Sequence, residues 1–337
     1  MSAKNNGTMV LVTGVSGYIG GHCAQRLLAE GYQVRGTIRS MAKADAARKP
    51  LVDGDPSAAS RLSFVVLDLM KDEGWEEAAS GCDYILHVAS PFPFDNPKNE
   101  DELIRPAVDG TLRALKAAVA AHVKRVVVTS SMAAIVYGHK DYSQVMDETT
   151  WSEVNNISGY EKSKTLAERA AWDFIRQHPE LELVVINPSA VFGPLLPGCR
   201  DIGSTVGIVQ RIITGGVPAA PRVSVPCVDV RDVAKMHVRA MTLPEAAGQR
   251  FTAISGPAPW MSELGGPVDC RIRKLPNWVA RLASPLSADL ARITPLLGIE
   301  MLLSNEKSRR VLGIDFIPWE RSIKDTADSL RRENLVK

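Results

Sequence analysis

The stretch that most restricts this chain runs from Met9 to Gly20. There a short apolar run enters a glycine-spaced turn and leaves it as a helix. Met9-Val10-Leu11-Val12 has the composition of a buried strand. It leads directly into Thr13-Gly14-Val15-Ser16-Gly17-Tyr18-Ile19-Gly20. Ile19, Cys23, Leu27 and Leu28 then share one helical face up to Gly31, which suits a helix C-terminus. Strand, glycine loop and helix in that order form the unit that receives a dinucleotide pyrophosphate. The first glycine permits the tight turn, the next lets backbone N–H groups approach phosphate, and the last lets helix and strand pack closely. The helix N-terminus adds partial positive charge.

The end of the second strand bears on which dinucleotide. Gln33 to Ile38 reads as that strand, followed by Arg39 and Ser40. An acidic residue here would hold a ribose 2′-hydroxyl, whereas arginine suits a 2′-phosphate. No Asp or Glu lies between Gly31 and Ala44, but Arg35, Arg39 and Lys43 do. Arg39 is therefore the main candidate for the phosphate, and NADP(H) is the expected cofactor.

Composition narrows the remaining classes. Forty Lys and Arg against 38 Asp and Glu leave a formal charge of +2 in 337 residues. That balance gives no electrostatic case for nucleic acid or an anionic membrane. Cys23, Cys82, Cys199, Cys227 and Cys270 are scattered and form no C-x-x-C, which argues against a disulfide framework or a zinc site. No metal is expected. No apolar run approaches the roughly 20 residues a membrane helix needs. The first eight residues carry no signal-peptide core. A soluble cytoplasmic protein is expected.

Strand and helix signals alternate along the first half, as in a parallel sheet covered on both faces. Leu62 to Leu67 is a third strand, ending at Asp68-Leu69. Asp68 could contact adenine or cap a helix. Leu51 to Ser60 reads as a surface loop. Trp75 to Ala79 is a short helix, and Tyr84 to Val88 a fourth strand leading into Ala89-Ser90-Pro91, where small residues would let a dinucleotide lie close. His87, inside an apolar run, reads as a satisfied core histidine. Asp101 to His122 is a long amphipathic helix. Val126 to Thr129 is a fifth strand closed by Ser130-Ser131, and Leu183 to Ile186 a sixth running into Asn187-Pro188-Ser189. Prolines and glycines then become dense and the alternation stops. The expected fold is α/β: a Rossmann-type doubly wound parallel sheet with a smaller, mixed C-terminal substrate lobe. The dinucleotide domain is placed at 8–188, with 223–250 returning to it and Val223 to Val228 rejoining the main sheet. The substrate lobe is placed at 189–222 and 251–330.

Ser158-Gly159-Tyr160-Glu161-Lys162-Ser163-Lys164 carries the chemistry. Ser158 and Glu161 have capping-box spacing, so a helix should start here. Tyr160 and Lys164 are four apart and share one face of it. A neighbouring ammonium favours the phenolate, and a phenol so tuned can give a proton to a carbonyl oxygen or take one from an alcohol.

These motifs together resemble the extended short-chain dehydrogenase/reductase family, in the branch of dihydroflavonol reductases, cinnamoyl-CoA reductases and microbial NADPH-dependent aldehyde and ketone reductases. The resemblance runs nearly end to end. It rests on Thr13-Gly14-x-x-Gly17-x-x-Gly20, Val34-Arg35-x-Thr37-x-Arg39, Asp68-Leu69 and His87-Val88-Ala89-Ser90-Pro91. It continues through Thr129-Ser130-Ser131, Glu148-x-x-Trp151, Tyr160-x-x-Ser163-Lys164-x-x-Ala167-Glu168 and Asn187-Pro188, to Ser304-Asn305-Glu306-Lys307 and Leu312-Gly313.

The resemblance implies a Ser131–Tyr160–Lys164 catalytic set, with Ser130 structural and Lys164 also binding the nicotinamide ribose. It implies cofactor contacts from Thr13, Gly14, Ser16, Gly17, Tyr18, Ile19, Gly20, Arg39, Lys43, Asp68 and Leu69. Ala89, Ser90, Pro91, Thr129, Tyr160, Lys164, Asn187, Pro188 and Ser189 complete that set. Phe92, Phe94, Ser131, Val136 and Phe192 are the expected substrate contacts, in a monomer or homodimer acting on a small-molecule carbonyl compound. Two departures weigh on the substrate. Val136 stands where dihydroflavonol reductases carry Asn. Asn156-Ile157-Ser158-Gly159-Tyr160 replaces the Asn-Trp-Tyr-Cys-Tyr run of cinnamoyl-CoA reductases. A microbial-type carbonyl reductase fits better than either. The alternatives are a sugar-nucleotide epimerase or dehydratase, a non-catalytic NADPH-binding regulator and a steroid dehydrogenase.

Overall fold

The computed structural model describes residues 7–90, 99–199, 202–286, 290 and 293–336. The first half alternates as its sequence suggests: β1 (Met9–Thr13), α1 (Tyr18–Ala29), β2 (Gln33–Ile38), α2 (Ala44–Val52), β3 (Leu62–Val66), α3 (Trp75–Ala79), β4 (Tyr84–His87), α4 (Asp101–Ala120), β5 (Arg125–Thr129), α5 (Gly159–Gln177) and β6 (Glu182–Pro188). Then come β7 (Ala190–Phe192), α6 (Gly203–Ile213), β8 (Ala219–Pro221), β9 (Cys227–Asp229), α7 (Val230–Thr242), β10 (Arg250–Ala253) and β11 (Arg273–Leu275).

Seven strands form one sheet in the order β10-β6-β5-β4-β1-β2-β3, every pairing parallel. A strand buried on both faces must be apolar on both. In β1 the alternation is visible. Val10 and Val12 pack on the side holding α1 and α7, with Leu27, Val233 and Met236. Leu11 packs on the opposite side with Leu115 of α4 and Ala171 of α5. The order reverses between β1 and β4, and a crevice opens there beyond the strands' carboxyl ends. Thr13, His87, Thr129 and Pro188 close four of those strands and define its floor.

Three expectations need correction. Val223 to Val228 does not rejoin the main sheet. β9, at its end, pairs with β7 in a separate two-stranded sheet, and the seventh main strand is β10, parallel to β6. The returning segment is therefore α7 through β10. The reason is packing: Val233, Met236 and Met241 of α7 and Phe251 of β10 complete the face that α1 covers. Leu51 to Ser60 is not loop throughout, since α2 extends to Val52 and a 3-10 turn spans Pro56–Arg61. Pro50 inside α2 and the polar composition hid both elements.

The third correction concerns the start of α5. Gly159 begins the helix, but the Ser158 side chain makes no capping bond. Glu100, preceding α4, accepts the Gly159 N–H at 3.3 Å and the Lys162 ammonium at 2.9 Å. The first turn of α5 thus receives a carboxylate from another element, a favourable placement for negative charge at a helix N-terminus.

The smaller lobe has its own core. Phe192, Leu195, Val206, Val209 and Leu264 pack with Ile323, Ala327 and Leu330 of the C-terminal helix Trp319–Arg332. An ion cluster centred on the buried Asp229 joins this helix to α7. Asp229 caps α7, accepts two bonds from the Arg231 guanidinium and one from Ser322, while Arg231 also reaches Asp325 at 2.6 Å.

Candidate active site

The glycine loop has the form its spacing suggests. Gly14 adopts φ +68°, and a Cβ there would lie 2.9 Å from the Ala89 Cβ. A Cβ on Gly20 would lie 2.3 Å from the Gly14 carbonyl oxygen, so α1 can approach β1 only with glycine at that position. The loop closes on itself through Gly17 N–H to Gly14 O, 2.9 Å. Gly17 caps α1 without a side-chain bond, and the first helical turn contains no acid. The N–H groups of Tyr18, Ile19 and Gly20 therefore have neither an intrahelical acceptor nor a carboxylate of their own turn beside them, as an anion requires.

Several loop side chains serve the protein itself. The Thr13 hydroxyl oxygen accepts from Val88 N–H and Ala89 N–H, both 3.0 Å, and lies 3.1 Å from His87 Nδ1. With both lone pairs taken, its own proton goes to Nδ1, which places the imidazole proton on Nε2. Burial and the nearby Lys164 push His87 down to about 3, so it stays neutral. His87 is thus the satisfied core residue its sequence context suggests. Tyr18 donates to Gly193 O at 2.7 Å, tying the loop to the smaller lobe. Ser16 is exposed and Ile19 packs on the core.

At the end of β2 the basic residues separate by role. Arg35 is turned away, donating to Ala78 O and Ser80 O at the end of α3. Arg39 and Lys43 are exposed, and Arg39 has no ion pair among the described residues. Asp68 accepts the Met70 N–H at 3.0 Å, a local turn bond rather than a helix cap. Leu69 lines a cavity under Lys164.

Tyr160 and Lys164 lie in the first two turns of α5. Tyr160 is half-buried, and the Lys164 ammonium sits 5.7 Å from its ring centre. Lys164 is buried and donates to Ser90 Oγ at 2.7 Å. Burial pushes Lys164 down to about 8, while Glu168 one turn further on acts in the opposite direction. Ser131, at the end of β5, is half-buried, and its hydroxyl oxygen accepts the Ala133 N–H at 3.1 Å. That bond leaves the hydroxyl proton available. Thr165 ties the same turn to α5 by bonding Ala133 O, 3.3 Å. Ser130 points inward to Glu168 Oε2, 2.6 Å.

Beneath Lys164 is a cavity of about 20 Å³, room for about one water, lined by His87, Ser90, Thr129, Ser130, Lys164 and Glu168 among others. Thr129 Oγ1 is 2.7 Å from His237 Nε2. Asn187 donates to Ser131 O at 3.1 Å, and Pro188 pairs with Ala253. Asn187 Oδ1 and the hydroxyls of Ser189 and Ser255 are buried without a hydrogen-bond partner among the described residues. Buried polar atoms are rarely left so. Asn187 and Ser189 are among the cofactor contacts expected from the sequence. Together with the N-terminus of α1, which carries no side-chain cap, and with Arg39, which has no ion pair among the described residues, they fit a dinucleotide.

The substrate expectations fare differently. Val136 and Phe192 are fully buried, Val136 with Met132, Ile135 and Met301, and Phe192 in the core of the smaller lobe. Neither lines an open pocket, because each is enclosed by the apolar neighbours its own type recruits. Pro91, Phe92 and Phe94 lie outside the described residues. Two participants carried no assigned role in the sequence: Glu168, whose spacing of i+4 from Lys164 was a usable signal, and Arg250, which had none.

The chain matches the NAD dependent epimerase/dehydratase family over residues 10–253. It is 34% identical to cinnamoyl-CoA reductase CAD2 of Medicago truncatula, covering 100% of this chain and 99% of that protein. It is 35% identical to the ketoreductase azaE of Aspergillus niger, covering 95% and 97%. Among solved structures it is similar to yeast methylglyoxal/isovaleraldehyde reductase Gre2 complexed with NADPH. The TM-score is 0.77 and the identity 27%, over 98% of this chain and 100% of that one.

Proposed function

The chain belongs to the NAD dependent epimerase/dehydratase family, the extended short-chain dehydrogenase/reductases, and on that premise we propose that it is an NADPH-dependent reductase of aldehydes and ketones. The carrying observation is the half-buried Tyr160 with the buried Lys164 ammonium one helical turn away, at the carboxyl ends of β4 and β5. Bound NADPH would supply hydride to the carbonyl carbon. Tyr160 delivers the proton to the carbonyl oxygen, and Ser131 donates a hydrogen bond to it as negative charge develops. Lys164 keeps the phenol acidic and holds Ser90. The first turn of α1 takes the pyrophosphate and Arg39 the 2′-phosphate. The NADPH in the similar Gre2 structure and the ketoreductase among the relatives support this reading.

Consumption of NADPH should be followed against aldehydes, diketones, β-keto esters and aryl ketones, with chiral analysis of the products. Turnover on part of that panel is expected. Purified protein that retains NAD and leaves every carbonyl untouched would replace this reading with a sugar-nucleotide epimerase or dehydratase.

Arg39→Ala separates the two nicotinamide cofactors. Charge-assisted hydrogen bonds contribute about 1.5–3 kcal/mol. The variant should lose roughly 10- to 100-fold in kcat/KM for NADPH while NADH is little affected. An equal loss with both would remove Arg39 from the phosphate site.

A further inference from the structure

We propose that Glu168 is a positioning residue for the Ser131–Tyr160–Lys164 site: its carboxylate holds the backbone that carries Ser131 and is the counter-charge to the buried Lys164 ammonium. The proposal rests on the catalytic reading above. Tyr160, Lys164 and Glu168 are spaced i, i+4 and i+8 on α5, one helical face. The Glu168 side chain is 0% exposed. An ionised carboxylate so placed is tolerated only when paired and hydrogen-bonded.

Among the described residues Glu168 has four donors. Ser130 Oγ at 2.6 Å and Asn187 Nδ2 at 2.7 Å reach Oε2, while Arg250 Nε at 2.5 Å and Trp172 Nε1 at 3.4 Å reach Oε1. Ser130 follows β5, Asn187 is in β6 and Arg250 in β10, so one carboxylate gathers three strands against the catalytic helix. The Asn187 amide that binds Glu168 also binds Ser131 O. Ser131 is thereby held from both sides, by its neighbour Ser130 and by Asn187. Arg250 extends the grip outward. Its Nη1 donates to Glu148 O and Thr150 O at 2.7 and 2.9 Å, and its guanidinium lies 3.7 Å from the centre of the Trp151 ring. The polar loop leading into Tyr160 is therefore fixed by the same pair.

A purely structural ion pair accounts for Glu168 and Arg250 but not for the lysine. The titratable groups facing Lys164 are His87 from β4 and Tyr160 and Glu168 from its own helix. His87 is held neutral. Lys164 and Glu168 line the same cavity one helical turn apart, and among the described residues Glu168 is the carboxylate that opposes the effect of burial on Lys164.

Glu168→Gln keeps the shape and deletes the charge. The alkaline limb of kcat/KM, set by Lys164, should move to lower pH by about one unit, the size a nearby opposite charge has. At pH 7, kcat should fall about tenfold, one lost hydrogen-bonded constraint. Glu168→Asp, which restores the charge, should bring the limb back. NADPH affinity, read by fluorescence titration across pH, should show the same displacement without turnover. If the limb stays at its wild-type pH and kcat is unchanged, the proposal is overturned, even if the melting temperature drops. Should the Gln variant not fold, Asn187→Ala decides, since it cuts the link to Ser131 and leaves the charge. A tenfold loss of kcat with an unmoved limb supports the arrangement, and wild-type kcat overturns it. A wild-type protein that reduces no carbonyl yet whose NADPH-binding limb moves in Glu168→Gln would sink the catalytic reading and with it the positioning of Ser131, while keeping Glu168 as the counter-charge of Lys164.

Discussion

Tyr160→Phe should reduce carbonyl turnover by about 10²–10⁴-fold, the usual contribution of general acid catalysis, while NADPH still binds. The substitution removes one oxygen. The aromatic ring and its contact with Lys164 are kept. A loss of that size with an intact melting curve isolates the proton transfer from every other role of the residue. Steady-state kinetics with a reactive aldehyde, beside a binding titration of NADPH, would check it. Turnover at the wild-type rate would mean that another group donates the proton.

Lys164→Met should also collapse turnover and, in addition, weaken NADPH binding, but its effect on stability should run the other way. Burial lowers the folded-state pKa of Lys164 from 10.5 to about 8. At pH 7 the lysine is charged in both states, and holding it charged in the interior costs the fold about 3 kcal/mol at 1.36 kcal/mol per unit. Between pH 8 and 10.5 the unfolded chain binds the proton and the folded one does not, so this cost is relieved as pH rises. Methionine removes the cost and gives up the bond to Ser90, which contributes less. The cofactor-free variant should therefore melt no lower than wild type at pH 7, and its advantage should shrink above pH 8. Calorimetry across pH checks this. A lower melting temperature at pH 7 would show that the ammonium is better satisfied than its burial implies. In the wild type, kcat/KM should decline as pH rises through about 8, and the same titration gives Glu168→Gln its reference point.

The two predictions differ because of where the charges lie. Tyr160 is half-buried and lies beside the Lys164 ammonium, so losing its oxygen is expected to remove a function and leave the ring in place. Lys164 is enclosed, so the property that makes it chemically useful also opposes folding. Active-site groups of this kind are where stability and activity trade against each other.

What could be read from the chain alone is what is local in sequence. The glycine loop was legible because its turn and its helix–strand contact are set within a dozen residues, although Gly14 also faces Ala89. Gly14 turns with positive φ, and Gly20 admits a carbonyl that any Cβ would strike. The Tyr160–Lys164 pair was legible because helical geometry alone sets its spacing. Arg39 stood out as the basic residue at a strand end. Tertiary structure alone decided the rest. A local cap was expected from Ser158, but Glu100 arrives from across the fold to do that work. The segment around Val223 had strand composition, yet its partner was β7 rather than the main sheet, a choice made by the apolar face that β10 and α7 fill. Val136 and Phe192 had the chemistry of a pocket, but their neighbours enclosed them. Glu168 acquires its role only when Ser130, Asn187 and Arg250, separated by up to 82 residues from it, converge on one buried carboxylate. Periodicity and steric exclusion act over a few residues and leave a trace in the sequence. Desolvation and charge pairing depend on which distant groups share one interior, and that is fixed only when the chain has folded.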